Sequence, residues 1–198
     1  MIRQRIKAIL MTGVVIFSLC ACGQDVSTEE TSVKIEKDGT VVNTIIEEFD
    51  ETLYNVEDLK SMVLSEVASF NSASDGKSIS VDKLEAKDGK VTVSMTFAGT
   101  GQYAEFNEKV LFYGTISEAY QAGLDFDITL NSTKKDGGQI GKEEILGMND
   151  YGIVILEEPI AVMTPSKIVY ASSNVEVLSA KSAKVTSTEQ SAAYLIIE

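Results

Sequence analysis

The apolar positions of this chain change period several times, and each change marks an element. Val33-Lys34-Ile35-Glu36 alternates apolar and polar, Asp38-Gly39 follows, and Val41-Val42-Asn43-Thr44-Ile45-Ile46 resumes with β-branched residues. Period-two alternation broken by Asp-Gly predicts a hairpin over 33–46, with Phe49 turned inward just past it. The period then lengthens. Val56, Leu59, Met62, Val63, Val67 and Phe70 recur mostly three and four apart, with Glu57, Lys60, Ser61 and Glu66 between them. This predicts an amphipathic helix over 56–70, capped by Asn55 with Asp58 three residues on, and ended by the polar stretch 71–76. Period two returns over 79–84, where the alternation slips at Lys83, and over 91–97, where Val91, Val93, Met95 and Phe97 share one face. Asp88-Gly89 joins these as a second hairpin.

Residues 102–122 admit two readings. A single helix over 103–121 must carry Gly114 in its middle together with the run Val110-Leu111-Phe112-Tyr113. The alternative is a short helix over 102–107, a buried strand over 109–113, and a second helix capped by Thr115, with Glu118 completing a capping box and Gly123 at the C′ position. The second reading is preferred because it gives Gly114, Thr115 and Glu118 each a physical role. Leu124, Phe126, Ile128 and Leu130 then alternate with Asp125, Asp127 and Thr129, which predicts a strand over 124–130. Lys134-Lys135-Asp136-Gly137-Gly138 is an exposed turn, 142–147 a short helix or packed loop, and 153–156 a buried strand. Pro159 has no place in mid-sheet, so 160–163 is its own strand or an edge. Short β pieces follow at 167–171, 175–178, 183–185 and 193–197.

These elements define an α+β fold. An antiparallel or mixed sheet is built from hairpins, an amphipathic helix packs across it, and the C-terminal half is β-rich. The expected organisation is a leader over 1–21, a cysteine and tether over 22–32, and one domain over 33–198, with a soft subdivision near 131–139.

The leader has its own pattern. Arg3, Arg5 and Lys7 form a basic head, residues 8–17 an apolar run, and Ser18-Leu19-Cys20-Ala21-Cys22-Gly23 a small-residue end. That order predicts a secretory signal. The apolar run is shorter than the roughly 20 residues a membrane-crossing helix needs. The end resembles the lipobox of bacterial lipoproteins, with Leu19 three residues before Cys22, Ala21 just before it and Gly23 just after. The lipobox motif covers this segment alone; in its overall make-up of signal, cysteine, tether and domain the chain looks like a lipoprotein of a Gram-positive bacterium. The resemblance implies diacylglycerol on the Cys22 thiol, a fatty-acyl (palmitate) anchor, cleavage before Cys22, and a lipid-anchored domain on the extracytoplasmic face of the cell membrane. Cys20 fits the pattern less well, because Phe17 stands three residues before it. The ten polar residues 23–32 form a tether that reaches roughly 33 Å when extended.

Composition narrows the chemistry. After cleavage the chain holds 14 lysines against 30 acidic residues, a net charge of −16. That excludes nucleic-acid binding through a basic footprint and docking of the domain surface on anionic lipid headgroups. With Cys20 lost and Cys22 acylated, neither a disulfide nor a thiol nucleophile remains. The chain has no histidine and no tryptophan. The missing histidine closes the Ser-His-Asp and Cys-His routes and removes the commonest general base near neutral pH. No residue is assigned a catalytic role, and no cofactor is implied.

Three constellations remain. Asp125, Asp127 and Asn131 are weak metal candidates: their spacing lacks the glycine and distal glutamate of a calcium loop. The acidic run Glu47, Glu48, Asp50, Glu51 and the pairs Glu143-Glu144 and Glu157-Glu158 read as solvated faces. Tyr103, Tyr113, Tyr120, Tyr151 and Tyr170 are the candidate binding residues, because tyrosine combines an apolar ring with a polar tip. The expected role is binding or scaffolding at the cell envelope, with an envelope protein or a glycan as partner. A small-solute-binding protein, with a cleft lined by tyrosines and carboxylates, is the first alternative. A carboxylate-based hydrolase of wall glycans is the second, and it requires two acids facing each other across a groove.

Overall fold

A computed structural model describes residues 30–74, 78–189 and 191–198. The signal, Cys22 and all of the tether before Glu30 lie outside the described residues. Within them the fold is α+β, with two sheets and four helices.

β1 (Ser32–Ile35) and β2 (Val41–Glu48) form the first hairpin, with Gly39 at φ +87° in its turn. α1 spans Val56–Ala73, three residues beyond its predicted end. The Asn55 side-chain oxygen accepts the backbone N–H groups of Glu57 and Asp58 there, satisfying two of the helix's unpaired donors. Asn71, expected to lie beyond the helix, sits in its last turn and clamps the next strand. Its Nδ2 donates to the Ile79 carbonyl, and its Oδ1 accepts from the Ser78 and Ile79 N–H groups.

β3 (Ile79–Lys87) and β4 (Lys90–Phe97) form the second hairpin. Asp88 and Gly89 both have positive φ, 53° and 75°, as a two-residue turn matched to strand twist requires. The slip in alternation near Lys83 is a β-bulge. Val81 pairs with Met95 and Lys83 with Ser94, so Asp82 is the extra residue. Its carboxylate accepts from the hydroxyls of Ser80 and Thr96.

The stretch 102–122 takes the three-piece form. α2 (Thr100–Asn107) ends at Glu108 in the left-handed region, β5 (Leu111–Thr115) follows, and α3 (Ile116–Gln121) begins with the Thr115–Glu118 capping box. Gly123 lies at φ +79° just past its end.

Residues 124–130 correct the expected strand. Only Leu130 belongs to one, β6 (Leu130–Ser132), and 124–129 joins no ladder. The alternation still holds, with Phe126 and Leu130 buried and Asp125, Asp127 and Thr129 exposed. The extended segment serves as a lid over one sheet face, and side-chain burial rather than backbone pairing is what its pattern recorded.

β7 (Gln139–Ile140) pairs with β6, so the expected soft division falls inside a hairpin. α4 (Lys142–Gly147), β8 (Gly152–Leu156), β9 (Ala161–Met163), β10 (Ile168–Ala171), β11 (Val175–Val177), β12 (Ser182–Val185) and β13 (Ala193–Ile197) complete the chain. β9, which begins two residues after Pro159, is interior: it lies between β12 and β1 and runs parallel to β1.

The first sheet has the order β11-β12-β9-β1-β2-β4-β3, and the second β5-β8-β13-β10-β6-β7. One core fills the space between the sheets and beneath α1. It contains Val33, Val41, Met95 and Phe97 of the first sheet, Val154, Leu156, Leu195 and Ile197 of the second, and Leu59, Val63 and Phe70 of α1. A second cluster lies on the other face of the second sheet. There Ile153, Ile155, Tyr194 and Ile196 are covered by Ile116 and Ala119 of α3, Ile145 of α4, and Phe126. β8 and β13 are thus buried on both faces, which is why they read as unbroken apolar runs.

Candidate functional site

The five candidate tyrosines do not form one patch. Tyr103 is 2% exposed, packs edge-on against Phe97, and donates its hydroxyl to Glu158 Oε2 at 2.6 Å. Burial first, then the charge of Glu158, raises its pKa well above the usual value. It is a core residue with its polar tip satisfied, not a surface contact. Tyr120 stands exposed on α3, with its ring 6.3 Å from that of Phe126, and Tyr170 is half-buried against the second cluster.

Tyr113 and Tyr151 come together. Both line a groove of about 580 Å³, together with Gly114, Thr115, Glu118, Asp150, Gly152, Ser166, Ile197 and Glu198. Local structure explains how these positions meet. Thr115 pairs with Gly152, and Gly152 with Ile197, so the ends of β5, β8 and β13 lie side by side. The Tyr151 carbonyl accepts the Ile116 N–H, which ties the segment before β8 to the start of α3. A Cβ on Gly152 would stand 2.8 Å from Ile197 Cγ1, and one on Gly114 2.8 Å from Glu118 Oε2. The two glycines therefore allow strand, helix cap and groove floor to approach closely.

The groove's polar groups differ in how far they are engaged. Glu118 Oε2 accepts from both the Thr115 N–H and the Thr115 hydroxyl. Those two bonds hold its pKa below the ordinary carboxylate value, so it stays ionised. Glu198 receives Lys167 Nζ at 3.2 Å. Among the described residues the Asp150 carboxylate and the hydroxyls of Tyr113 and Tyr151 have no hydrogen-bond or ion-pair partner. None of the lining residues is basic.

The groove also has a place in the fold. The chain joins the first sheet where Thr31 Oγ1 bonds both the N–H and the carbonyl of Ile46, near the end of β2. β9 runs parallel to β1, so Met163 lies at the opposite end of that sheet, and Ser166 follows three residues later. The groove, which Ser166 lines, therefore lies toward the end of the first sheet opposite the entry point of Thr31.

A smaller hollow of about 380 Å³ lies at the tether end, lined by Glu48, Phe49, Asp50, Glu51 and Gly89. Its Asp50 carboxylate is engaged by the Thr52 N–H and hydroxyl. Burial, followed by the neighbouring Glu48 charge, raises the Glu47 pKa.

The metal candidates are engaged in local structure. Asp125 Oδ1 accepts the Asp127 N–H, and Asn131 Oδ1 accepts from Gln139 Nε2 on the paired strand. Among the described residues no group of three or more acidic, histidine or cysteine side chains is placed to hold a metal. Of the acidic pairs, Glu144 accepts the Gly141 N–H at the start of α4, and Glu158 takes the Tyr103 hydroxyl.

Sequence reasoning singled out Tyr113 and Tyr151 but not Asp150, Glu198, Gly152 or Ser166. The Asp150-Tyr151-Gly152 run before an apolar strand was the available signal, since a glycine opening a buried strand marks close approach. No family model matches the chain, and neither curated proteins nor solved structures yield a match. No helix among the described residues is long and apolar enough to cross a membrane.

Proposed function

We propose that this protein is a lipid-anchored extracytoplasmic binding protein. Acylated Cys22 and its short tether hold one end of the sandwich near the bilayer, and the groove at the other end faces outward to receive a small ligand or the end of an envelope polymer. The observation that carries this reading is that two tyrosines with unpartnered hydroxyls and one unpartnered carboxylate line a single groove. Free polar groups beside aromatic rings in a concavity of this size are the usual makings of a ligand site. Hydrolysis has less support. Glu118 is fixed in a helix cap and Glu198 pairs with a lysine, which leaves Asp150 alone where glycoside chemistry uses two carboxylates.

The anchor is tested by feeding cells a clickable fatty acid. Full-length protein should be labelled, Cys22→Ala should not, and Cys20→Ala should be labelled as before. The groove is tested by adding small-molecule and wall-fragment extracts of the envelope to full-length protein with isotope-labelled tyrosines. Ring resonances of Tyr113 and Tyr151 should shift, and those of Tyr103 should not. Shifts confined to Tyr54 and Tyr120 would instead support a scaffolding surface elsewhere.

A further inference from the structure

The groove has an aromatic wall and an uncompensated negative charge, and the combination selects among ligand chemistries. We infer that it takes a small organic cation, an ammonium- or guanidinium-bearing molecule seated on the rings of Tyr113 and Tyr151 beside the Asp150 carboxylate. This inference rests on the groove being a binding site.

Anions are disfavoured. An anion would meet the charges of Glu118 and Asp150 with no basic residue in the lining, and the two lysines beside it are engaged, Lys167 with Glu198 and Lys181 with the Pro165 carbonyl. Glu118 remains a fixed negative charge, because the backbone and hydroxyl of Thr115 stabilise its ionised form. A neutral sugar could stack on the rings but would leave the Asp150 charge unmatched. A cation satisfies both features, since tyrosine faces attract positive charge through the ring quadrupole. Tyr151 is 37% exposed, so its ring is accessible, while Tyr113 is half-buried against the core with part of its surface in the groove. The groove is open to water, so each contact is weak and salt-sensitive.

The test uses full-length protein in detergent at low ionic strength, with tyrosine-ring NMR as the readout. The probes are tetramethylammonium, spermidine and neutral chitotriose, with sodium chloride matching ionic strength. Tetramethylammonium and spermidine should shift Tyr113 and Tyr151 saturably. Asp150→Asn should weaken that binding about fivefold, the scale of one unit-charge contact in water. Tyr120→Phe should leave it unchanged. A dispersion-matched spectrum for Asp150→Asn shows that it is folded. If chitotriose shifts the groove tyrosines and the cations do not, the cation inference fails while the binding groove stands. If the cations shift Tyr54 and Tyr120 as strongly as the groove pair, binding is general to the acidic surface and the inference fails. If neither the probes nor the envelope extracts move Tyr113 and Tyr151, the inference and the groove reading fail together.

Discussion

Replacing Tyr103 with phenylalanine removes one buried hydrogen bond and little else. The Tyr103 hydroxyl donates to Glu158 at 2.6 Å, joining α2 to the segment after β8 across 55 residues of sequence. The ring stays packed on Phe97, 5.2 Å between centroids, so no cavity larger than the oxygen is left. A hydrogen bond to a charged acceptor contributes a net ~1.5–3 kcal/mol. Glu158 is only half-buried, so water can replace part of what it loses, and the low end applies: about 1.5 kcal/mol. For a domain of this size that lowers the melting temperature by about 3–6 °C. The pH dependence supplies a second readout. Folding raises the Tyr103 pKa above its ordinary value of 10.0, through burial first and then Glu158. Above pH 10 the unfolded chain therefore loses this proton while the native protein keeps it. The associated stability is fully present below pH 10 and declines as pH rises towards the folded pKa, by up to about 1.4 kcal/mol per pH unit. Phenylalanine cannot titrate, so the gap between wild type and Tyr103→Phe should narrow across that window. Urea unfolding followed by circular dichroism at pH 7, 9, 10.5 and 11 measures both. Equal stability of the two proteins at pH 7, or a gap that stays constant from pH 9 to 11, would refute the reasoning.

Three further outcomes follow from local geometry. Asn71→Ala removes three hydrogen bonds that hold the start of β3 to the end of α1; the expected cost is about 2–3 kcal/mol, with faster amide exchange at Ser78 and Ile79. Glu118→Gln should flatten the acid limb of the stability curve. Thr115 holds the Glu118 pKa below its ordinary 4.5, so its contribution is present above that value and disappears as pH falls through the folded pKa. Wild type and variant melted between pH 2 and 7 should therefore converge in acid. Gly152→Ala places a methyl 2.8 Å from Ile197 Cγ1, whose residue is 2% exposed and has little room to move. A loss of about 1–2 kcal/mol in chemical denaturation is expected.

What the sequence made legible was local. The Asp38-Gly39 and Asp88-Gly89 turns, the Asn55 cap and the Thr115–Glu118 box each show in a few adjacent residues, because turn and cap geometry is set by neighbours. Even the slip at Lys83 was visible, as a bulge must shift alternation by one. The lid over 124–129 misled because alternation records burial, and an extended segment lying over a sheet buries alternate side chains without pairing. Pairing was not legible. Nothing in Ala161-Val162-Met163 says that it lies parallel to β1, 129 residues earlier, and its short apolar run fits an edge equally well. For the site, tyrosines were a sound choice of residue type, but partner and burial decide which of them face a ligand. Tyr103 and Tyr113 are ten residues apart and differ in whether a carboxylate reaches the hydroxyl.

The groove's position in the fold ties it to the completion of the second sheet. β13 lies at the centre of that sheet, pairing with β8 on one side and β10 on the other. Leu195 and Ile197 face the core between the sheets, while Tyr194 and Ile196 face the second cluster. Ile197 and Glu198 also line the groove. β5 and β8 can form a pair without β13, but the groove needs the Gly152–Ile197 contact and Ser166, which leads into β10. The residues that line the groove come from 113–118, 150–152, 166 and 197–198, so it exists only when β5, β8 and β13 of the second sheet are assembled. A site of this kind reports on the integrity of the second sheet. A tyrosine-ring signal from Tyr113 and Tyr151 should therefore be lost in the same transition as the far-ultraviolet signal of the sheets, not ahead of it.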